Sequence, residues 1–301
     1  MEENNAFEVL IIGGSYAGLS AALTLGRSRR KTIIIDSGEP CNSASPKAHN
    51  LLTHDGSSPA EITAIGKAQV LMYPSIEFKT GKATQINRAL QKFEVVLESG
   101  EKYLAKKIVL ATGIRDQFPA IDGFAECWGK TVIHCPYCHG FELKDRPTAI
   151  FANGEIALNF AKLVYNLTKD ITILTNGKKM FSASTLNKFK ERNIRLIEAR
   201  VARIIEKNGA IEALLFEDGS SIKVAAMYAG LSIKQHSDIP EKIGCEMDDQ
   251  GLIKVDSAQQ TSIKGIFACG DNSAMRSLSV AIKTGMIAGG FINSELCEEN
   301  F

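Results

Sequence analysis

The 301-residue chain has almost no net charge and no long apolar stretch. Its 35 Lys and Arg residues nearly balance 34 Asp and Glu residues, which leaves a formal net charge of +1. Because the positive and negative charges nearly cancel, the composition gives no reason to expect nucleic acid or an anionic membrane as a partner. No apolar stretch reaches the roughly 18 residues that a membrane-spanning helix needs. The length favours about two domains, each large enough to bury its own core.

The chain also lacks the marks of secreted and metal-binding proteins. The number of cysteines is seven, which is odd, and most of them have no partner nearby in the sequence, unlike a secreted disulfide framework. We expect these isolated cysteines to be reduced: Cys41, Cys127, Cys245, Cys269 and Cys297. Residues 1–7 are acidic and polar, unlike an export signal, which favours a cytoplasmic protein. A single C-x-x-C without a second one gives no reason to expect a metal site.

One closely spaced cysteine pair is present, in the run His134-Cys135-Pro136-Tyr137-Cys138-His139-Gly140. A C-x-x-C pair can close a small disulfide. A helix that begins at the first cysteine would place N–H groups and a positive dipole end beside its sulfur, which favours a thiolate. The pattern therefore predicts a redox-active disulfide. Half of a zinc site, a c-type haem attachment motif (C-x-x-C-H) and two thiols that merely pack are the alternatives.

Residues 7–36 carry the order of elements that dinucleotide-binding domains use. An apolar run, residues 7–12, leads into Gly-Gly-Ser-Tyr-Ala-Gly at 13–18, then a helical pattern, then an apolar run over 32–35 that ends at Asp36. In such a domain the glycines allow a tight turn, the helix N-terminus holds a pyrophosphate and the acid binds a ribose hydroxyl. The middle glycine is replaced by Ser15. The alternative is a βαβ unit that binds nothing.

The same plan recurs later in the chain. Residues 41–58 are a polar loop that includes His49 and His54, followed by a predicted helix over 60–71, strands at 93–97 and 103–104, and a buried strand over 107–113. Strands are then predicted at 148–151 and 171–174 around a helix over 158–167, with a meander at 201–205, 211–216 and 222–224 and a closing strand at 227–230. A last strand over 265–271 and a helix over 279–292 complete the pattern.

These repeats predict an α/β protein with two Rossmann-like dinucleotide-binding domains of three-layer ββα type. The last strand belongs with the first domain, so the second domain is inserted into it. The first domain is expected to comprise residues 1–116 and 244–301, and the second domain, with the dithiol near its start, residues 117–243.

Four motifs in this order and spacing resemble the low-molecular-weight thioredoxin reductases and their relatives. They are the turn at 13–18, Ala-Thr-Gly at 111–113, Cys-Pro-Tyr-Cys at 135–138 and Gly-Asp at 270–271. The resemblance covers the whole chain and implies FAD in the discontinuous domain, a homodimer, and hinge strands near residues 115–118 and 239–244. It implies that Cys138 faces the flavin and that Cys135 exchanges with a substrate.

Three departures from the family refine these expectations. The family's Asp after the second cysteine is His139 here, an imidazole that can carry protons near neutral pH, and Cys-Pro-Tyr-Cys-His resembles the dithiol oxidases of small sulfur-containing metabolites. In the second domain Ala152 replaces the first glycine, and no Arg follows Leu174 to hold a 2′-phosphate, so efficient use of NAD(P)H is not expected. The family's Arg-Gln-Ala is replaced by residues 275–279, Met-Arg-Ser-Leu-Ser.

The sequence thus predicts an FAD-dependent thiol–disulfide oxidoreductase, either a dithiol oxidase or a reductase with a non-NADPH donor such as a ferredoxin. Its substrate would be a thioredoxin-like protein disulfide or a small dithiol or disulfide. An NADPH-dependent thioredoxin reductase and a flavin-bound redox sensor are the alternatives. The predicted catalytic residues are Cys135, Cys138 and His139. The predicted cofactor-binding residues are Gly13, Gly14, Ser15, Ala17, Gly18, Asp36, Asn42, His49, Ala111, Thr112, Gly113, Gly270, Asp271 and Ser279.

Overall fold

The computed structural model describes residues 6–301, which fall into two compact units. Unit 1 contains residues 6–43, 60–115 and 233–301, and unit 2 contains residues 44–59 and 116–232. These units are defined by spatial contact, and they differ from the predicted domains in the assignment of residues 44–59, 116 and 233–243. The first five residues, on which the expectation of a cytoplasmic protein partly rests, lie outside the described residues.

The elements of unit 1 come from the start, the middle and the end of the chain. Its strands are β1 (Ala6–Ile12), β2 (Thr32–Asp36), β3 (Ile76–Thr80), β4 (Ala83–Ala89), β5 (Lys92–Leu97), β6 (Lys102–Leu110), β7 (Ile114–Asp116, which ends one residue past the unit boundary), β16 (Ile233–Gln235) and β17 (Ile266–Ala268). Its helices are α1 (Tyr16–Arg27), α2 (Pro59–Leu71, which starts one residue before the boundary), α7 (Ile239–Lys242) and α8 (Leu278–Asn300).

The elements of unit 2 lie between those of unit 1 in the sequence. Its strands are β8 (Val132–Ile133), β9 (Thr148–Phe151), β10 (Ile171–Leu174), β11 (Arg195–Ile197), β12 (Val201–Lys207), β13 (Ala210–Phe216), β14 (Ser221–Ile222) and β15 (Ala226–Ala229). Its helices are α3 (Phe124–Cys127), α4 (Pro136–His139), α5 (Gly154–Val164) and α6 (Ala183–Glu191).

Unit 1 is organised around a sheet with the order β3-β2-β1-β6-β5-β4, in which β17 also pairs with β6. The strands β3, β2, β1, β6 and β17 run parallel, whereas β4, β5 and β6 form an antiparallel meander. The central parallel strands are apolar without alternation because both of their faces are covered, as in other α/β sheets. The parallel arrangement brings the carboxyl ends of β1, β2, β6 and β17 to one edge.

Helices α1 and α8 pack closely because small residues lie between them. A Cβ added to Gly285 would lie 2.1 Å from the backbone oxygen of Ala17, and one added to Gly289 would lie 2.7 Å from that of Ala21. Any larger side chain would therefore push α8 away from α1. This packing places Gly285, in the first half of α8, beside the start of α1.

Unit 2 repeats the plan on a smaller scale. Its parallel sheet has the order β11-β10-β9-β15-β8, and β12, β13 and β14 form a separate antiparallel meander. One apolar cluster of this unit surrounds Phe124, Trp128 and Leu214, and a second surrounds Ile150, Val164 and Tyr228. The predicted fold class, an α/β protein with two Rossmann-like units, is confirmed.

Several predicted elements have different bounds in the structure. The strands predicted at 103–104 and 107–113 are one strand, β6, because its alternating first half pairs with the meander and its apolar second half lies in the parallel sheet. Strands β3, β4 and β11 and helix α6 were not predicted. The predicted hinge strand over 239–244 is wrong in position: Ile239–Lys242 is a short helix, and the strand that pairs with β7 is β16.

Candidate active site

The two cysteines of the C-x-x-C motif are joined by a disulfide, with their Cα atoms 5.3 Å apart. Cys135 is the N-cap of α4, and its Sγ accepts the backbone N–H of Cys138 at 3.1 Å. Pro136 occupies the first helical turn, where its missing N–H costs nothing. The predicted helix start at the first cysteine is confirmed. The hydrogen bond on Sγ would favour negative charge on Cys135 once the disulfide opens.

His139 ends α4 directly beside Cys138 and is partly buried. Burial lowers the pKa of its imidazole, and the neighbouring His49 lowers it further, whereas the carboxylate of Glu142 opposes both effects. The imidazole is therefore neutral at pH 7 and can accept a proton. Gly140 follows it in a tight place, since an added Cβ would lie 2.3 Å from the oxygen of Pro136.

Two aromatic side chains beside the cysteines are open to solvent. Tyr137 lies between the cysteines in the sequence and is 69% exposed, and Phe141 is also 69% exposed. His134, on the other side of the pair, stacks on Trp128 with ring centroids 5.8 Å apart. The disulfide thus lies in a surface region of unit 2 with mixed aromatic and imidazole character.

His49, predicted to bind cofactor, belongs to unit 2 by its contacts. Its Nδ1 lies 3.5 Å from a carboxylate oxygen of Asp55, and its Nε2 lies 3.5 Å from one of Glu142. Sequence analysis did not find Glu142, because a glutamate three residues after a histidine carries no signal without the fold.

The first glycine turn, residues 13–18 of unit 1, links β1 to α1. Gly13 has a φ of +108°, and a Cβ added there would lie 2.1 Å from the backbone oxygen of Ala111. A Cβ on Gly18 would lie 1.9 Å from the oxygen of Gly13. Ser15 is the N-cap of α1 but makes no side-chain hydrogen bond to the helix. The backbone is therefore drawn tightly against Ala111, which follows β6, and the side chain of Ser15 does not cap the helix start.

Other predicted cofactor residues gather at the same edge of the unit 1 sheet. A carboxylate oxygen of Asp36 accepts the N–H of Gly14 at 2.8 Å, and the amide of Asn42 donates to the hydroxyl of Tyr16 at 3.2 Å. The parallel pairing of β1, β6 and β17 places the ends of all three strands together. The predicted residues that follow those strands are Ala111, Thr112, Gly113, Gly270 and Asp271.

Asn272, which sequence analysis missed, links the segment after β17 to the end of β6 at this edge of the sheet. It is fully buried, and its amide donates to the backbone oxygen of Leu110 at 2.9 Å and to the hydroxyl of Thr112 at 3.2 Å. The neighbouring Gly270 donates its N–H to the hydroxyl of Thr284 on α8 at 3.0 Å. Asp271 lies 3.8 Å from Cys41 Sγ and 4.0 Å from Arg276 Nε. The predicted Ser279 is exposed in the first turn of α8.

These features of unit 1 fit a dinucleotide such as FAD. The glycine cradle leaves no room for side chains, the uncapped start of α1 offers N–H groups to a pyrophosphate, and Asp36 is placed to accept a ribose hydroxyl. Asp271 supplies a second carboxylate at the same edge.

The second turn, residues 152–154 of unit 2, has the opposite character. Asn153 is the N-cap of α5, and its side-chain oxygen accepts the N–H groups of Gly154 and Met180, each at 2.9 Å. Its amide also donates to the oxygen of Lys178 at 2.9 Å. Glu198 binds Lys179 through both the backbone N–H, at 2.9 Å, and the ammonium, at 2.7 Å. The loop after β10 is therefore tied to the start of α5.

Comparison with known proteins agrees with this architecture. The profile of the pyridine nucleotide-disulphide oxidoreductase family matches residues 7–285. The chain belongs to this family. It is a thioredoxin reductase-like disulfide oxidoreductase, and membership implies that it binds FAD.

Individual members of the family resemble the chain over almost its whole length. Thioredoxin reductase tcpT of Claviceps purpurea is 31% identical over 98% of this chain and 96% of its own. The crystal structure of a putative thioredoxin reductase TrxB from Bacillus anthracis superposes with a TM-score of 0.93, at 32% identity, over 98% of this chain and 100% of its own. An oxidoreductase from Agrobacterium tumefaciens superposes with a TM-score of 0.90, at 34% identity, over 97% and 99% of the two chains.

Among residues 6–301, no helix is long and apolar enough to cross a membrane.

Proposed function

We propose that this family member oxidises dithiols, or exchanges electrons with a protein disulfide, through Cys135 and Cys138 and without a nicotinamide donor. The observation that carries this proposal is the pairing of a redox disulfide with a capped second turn. In unit 2, the side chain of Asn153 occupies the helix N–H that a pyrophosphate would use. Unit 1 keeps its helix start uncapped.

The chemistry follows from thiol–disulfide exchange. A substrate thiolate attacks Sγ of Cys135, the bond between the two protein sulfurs breaks, and Cys138 leaves as a thiolate. The second substrate thiol loses its proton and attacks the mixed disulfide, which releases the substrate as a disulfide and leaves both cysteines reduced. FAD, when bound, supplies a two-electron acceptor for this dithiol.

His139 has the role of proton carrier in this sequence. Two protons leave the substrate for each pair of electrons, and a neutral imidazole beside Cys138 can accept one from an incoming thiol and give one to a leaving thiolate. Burial is the larger cause of the lowered pKa of His139, and His49 lowers this pKa further. The imidazole is therefore neutral at pH 7 and can accept a proton.

The nicotinamide site does not fit NADPH. Ala152 replaces the glycine of the tight turn, Asn153 and Glu198 bind the loop after β10, and Lys179 is already paired. An alternative donor such as a ferredoxin-type protein would have to reach the flavin directly. We also propose a homodimer, which light scattering of the purified protein tests.

An anaerobic titration separates these possibilities. The flavin absorbance is followed while NADPH, then NADH, then dithiothreitol is added to the purified holoenzyme. We expect only the dithiol to bleach the flavin. Rapid bleaching by NADPH contradicts the proposal and indicates an NADPH-dependent thioredoxin reductase. One stoichiometric reduction without sustained turnover, over a panel of dithiols and acceptors, indicates a redox sensor.

The role of the cysteine pair is tested by Cys138→Ser. We expect complete loss of dithiol turnover with FAD still bound at one flavin per chain, because the variant cannot close the disulfide. Cys297→Ser, which removes an exposed cysteine outside the disulfide, is the matched control and keeps full activity. Turnover retained by Cys138→Ser contradicts the dithiol mechanism.

A further inference from the structure

Asn272 is a fully buried amide at the edge of the unit 1 sheet where the predicted cofactor residues lie. Its Nδ2 donates to the backbone oxygen of Leu110 at 2.9 Å and to the hydroxyl of Thr112 at 3.2 Å. Its own backbone oxygen accepts the N–H of Ile253 at 2.8 Å and a hydrogen bond from Nε2 of Gln235 at 2.9 Å. Asn272 thus joins three other segments of unit 1 that are far apart in the sequence.

The orientation of both amides, those of Asn272 and Gln235, is fixed by backbone oxygens. Nδ2 of Asn272 faces the oxygen of Leu110. Nε2 of Gln235 faces the oxygens of Gly251 and Asn272, both at 2.9 Å. Because a carbonyl oxygen only accepts hydrogen bonds, the nitrogen of each amide has to lie on this side. The other atoms, Oδ1 of Asn272 and Oε1 of Gln235, are buried and accept no hydrogen bond from residues 6–301.

The acceptors that Asn272 serves have other partners. The oxygen of Leu110 also accepts the N–H of Cys269 at 3.0 Å. Thr112 is partly exposed, so its hydroxyl can turn to water. An apolar side chain at position 272 would remove a buried oxygen that has no protein donor and would leave neither acceptor buried without a partner. We therefore expect the amide to contribute little to stability and more to the placement of Thr112.

Thr112 lies against the glycine turn of unit 1. A Cβ added to Gly13 would lie 3.4 Å from the backbone nitrogen of Thr112. A threonine hydroxyl has one proton to donate and two positions at which it accepts. Asn272 takes one accepting position, and no group in the described part of the chain accepts the hydroxyl proton. The hydroxyl therefore keeps its proton for a ligand at the edge where FAD is expected.

Strand β16 holds the same segment from a second direction. His236, which follows this strand, donates its N–H to the oxygen of Gly113 at 3.1 Å. Gln235, the last residue of the strand, donates to the backbone oxygen of Asn272. The turn after β6 is therefore held between the end of β16 and the amide of Asn272.

We infer that Asn272 and Gln235 are positioning residues for FAD, which hold Thr112 so that its hydroxyl donates to an acceptor atom of the bound dinucleotide. Asn272 occupies the accepting side of the hydroxyl and leaves the proton directed to the cofactor. Gln235 keeps Asn272 in place. This inference goes beyond the proposed function, since it concerns the binding of FAD in unit 1 and is independent of the electron donor.

The test measures FAD affinity and stability separately. Quenching of flavin fluorescence during titration of the full-length apoprotein gives the Kd, and urea unfolding of the apoprotein gives a midpoint to which bound FAD does not contribute. We expect Asn272→Leu to weaken FAD binding by about tenfold, as for the loss of one well-placed hydrogen bond. The unfolding midpoint should stay unchanged. Unchanged affinity, or a loss of affinity that only accompanies a lower midpoint, overturns the inference.

The hydroxyl itself is tested by Thr112→Val, which keeps the shape of the side chain and remains informative if Asn272→Leu fails to fold. We expect FAD binding to weaken by about tenfold, whereas Thr112→Ser, which keeps the hydroxyl, should stay within about threefold of the wild type. Thr261→Val is the matched control. Thr261 is buried in unit 1, and its hydroxyl donates to the oxygen of Ile266 at the first residue of β17. An equal loss of affinity in this control overturns the inference.

A double-mutant cycle shows whether the amides act through the hydroxyl. The variant that combines Asn272→Leu with Thr112→Val should bind FAD no more weakly than Thr112→Val alone. Gln235→Leu should weaken binding by about threefold, because Ile253 still holds the backbone oxygen of Asn272, and should have no further effect in the Thr112→Val background. Additive losses overturn the inference, since the amides would then affect FAD by another route.

None of these measurements uses a thiol or a nicotinamide nucleotide. Rapid reduction of the flavin by NADPH would therefore contradict the proposed function and leave the positioning role of Asn272 and Gln235 intact. Additive losses in the cycle would reject the positioning role and leave the proposed function intact.

Discussion

The two glycine-containing turns of this protein follow the same plan and end in different states. Each joins a strand of a parallel sheet to the helix that follows it, β1 to α1 in unit 1 and β9 to α5 in unit 2. In the first turn Ser15 makes no capping hydrogen bond, and the N–H of Gly14 is paired with Asp36. In the second turn Asn153 caps the helix and binds the loop after the next strand.

The difference shows how little separates a dinucleotide site from a structural turn. A helix start needs partners for its first N–H groups, and either a phosphate or a side-chain oxygen can provide them. In unit 1 the side chain of Ser15 does not take this place. Unit 2 fills it with its own asparagine, so that the helix is satisfied without nucleotide.

The largest expected effect comes from a methyl group in the first turn. Gly13→Ala places a Cβ 2.1 Å from the oxygen of Ala111 at a φ of +108°, which should lower the free energy of unfolding by about 3 kcal/mol or more. Urea unfolding and the ratio of flavin to protein measure the loss. In the second turn, Gly154→Ala, whose Cβ would lie 3.5 Å from the oxygen of Met180, should cost only about 1 kcal/mol. Equal losses in both variants contradict the stated asymmetry.

The second prediction converts the first turn to the chemistry of the second. In Ser15→Asn the amide oxygen can cap α1 and compete with a pyrophosphate, so FAD affinity should fall by about tenfold. Quenching of flavin fluorescence during titration of the apoprotein measures the affinity. Ser15→Ala, which provides no cap, is the control and should stay within about threefold of the wild type. If both variants lose affinity alike, the serine itself contacts the ligand and the capping argument is wrong.

The third prediction concerns the loss of the Asn153 hydrogen bonds in the second turn. Asn153→Ala removes the acceptor for Gly154 and Met180 and the donor to Lys178, which should lower the free energy of unfolding by about 1 kcal/mol. Asn153→Asp keeps the acceptor and should recover most of this loss. Chemical denaturation of the wild type and the two variants measures these differences in the free energy of unfolding. An aspartate as damaging as alanine indicates that the donated bond to Lys178 is the important one.

The smallest expected effect concerns the ion pair that holds the same loop. Glu198→Gln weakens its contact with Lys179, but the pair is exposed and screened by water, so no resolvable change in Tm is expected. The backbone N–H of Lys179 donates to this carboxylate, and its hydrogen exchange should become faster. Unchanged exchange shows that Asn153 alone holds the loop.

Much of the architecture could be predicted from local patterns. Strands β2, β9 and β10 were predicted with the bounds that the structure has, to within a residue, because short apolar runs between turn signals are typical of buried parallel strands. The disulfide between Cys135 and Cys138 followed from their spacing. Strand β3 alternates apolar and polar residues but is only five residues long, and β4 gives no regular period, so both strands were missed.

The residues of the candidate site likewise fall into a group that could be predicted from the sequence and a group that could not. The glycine turn and the cysteine pair are local in the sequence, so their chemistry can be inferred from neighbouring residues. Asn272 and Glu142 are functional candidates whose partners lie far away in the sequence, since Asn272 binds Leu110 and Glu142 contacts His49. No periodicity or spacing connects such pairs.

By itself the sequence determined the family, the two Rossmann-like plans and the redox pair, because each depends on short local motifs and on their order along the chain. The tertiary structure decided which helix start is capped by its own side chain. Ala152 and the missing arginine weakened the second nucleotide motif in the sequence, but the hydrogen bonds from Asn153 to Lys178 and Met180 exist only because folding places the loop after β10 against the start of α5. The charge environment of His139 has the same origin, since it depends on a histidine that precedes it by ninety residues.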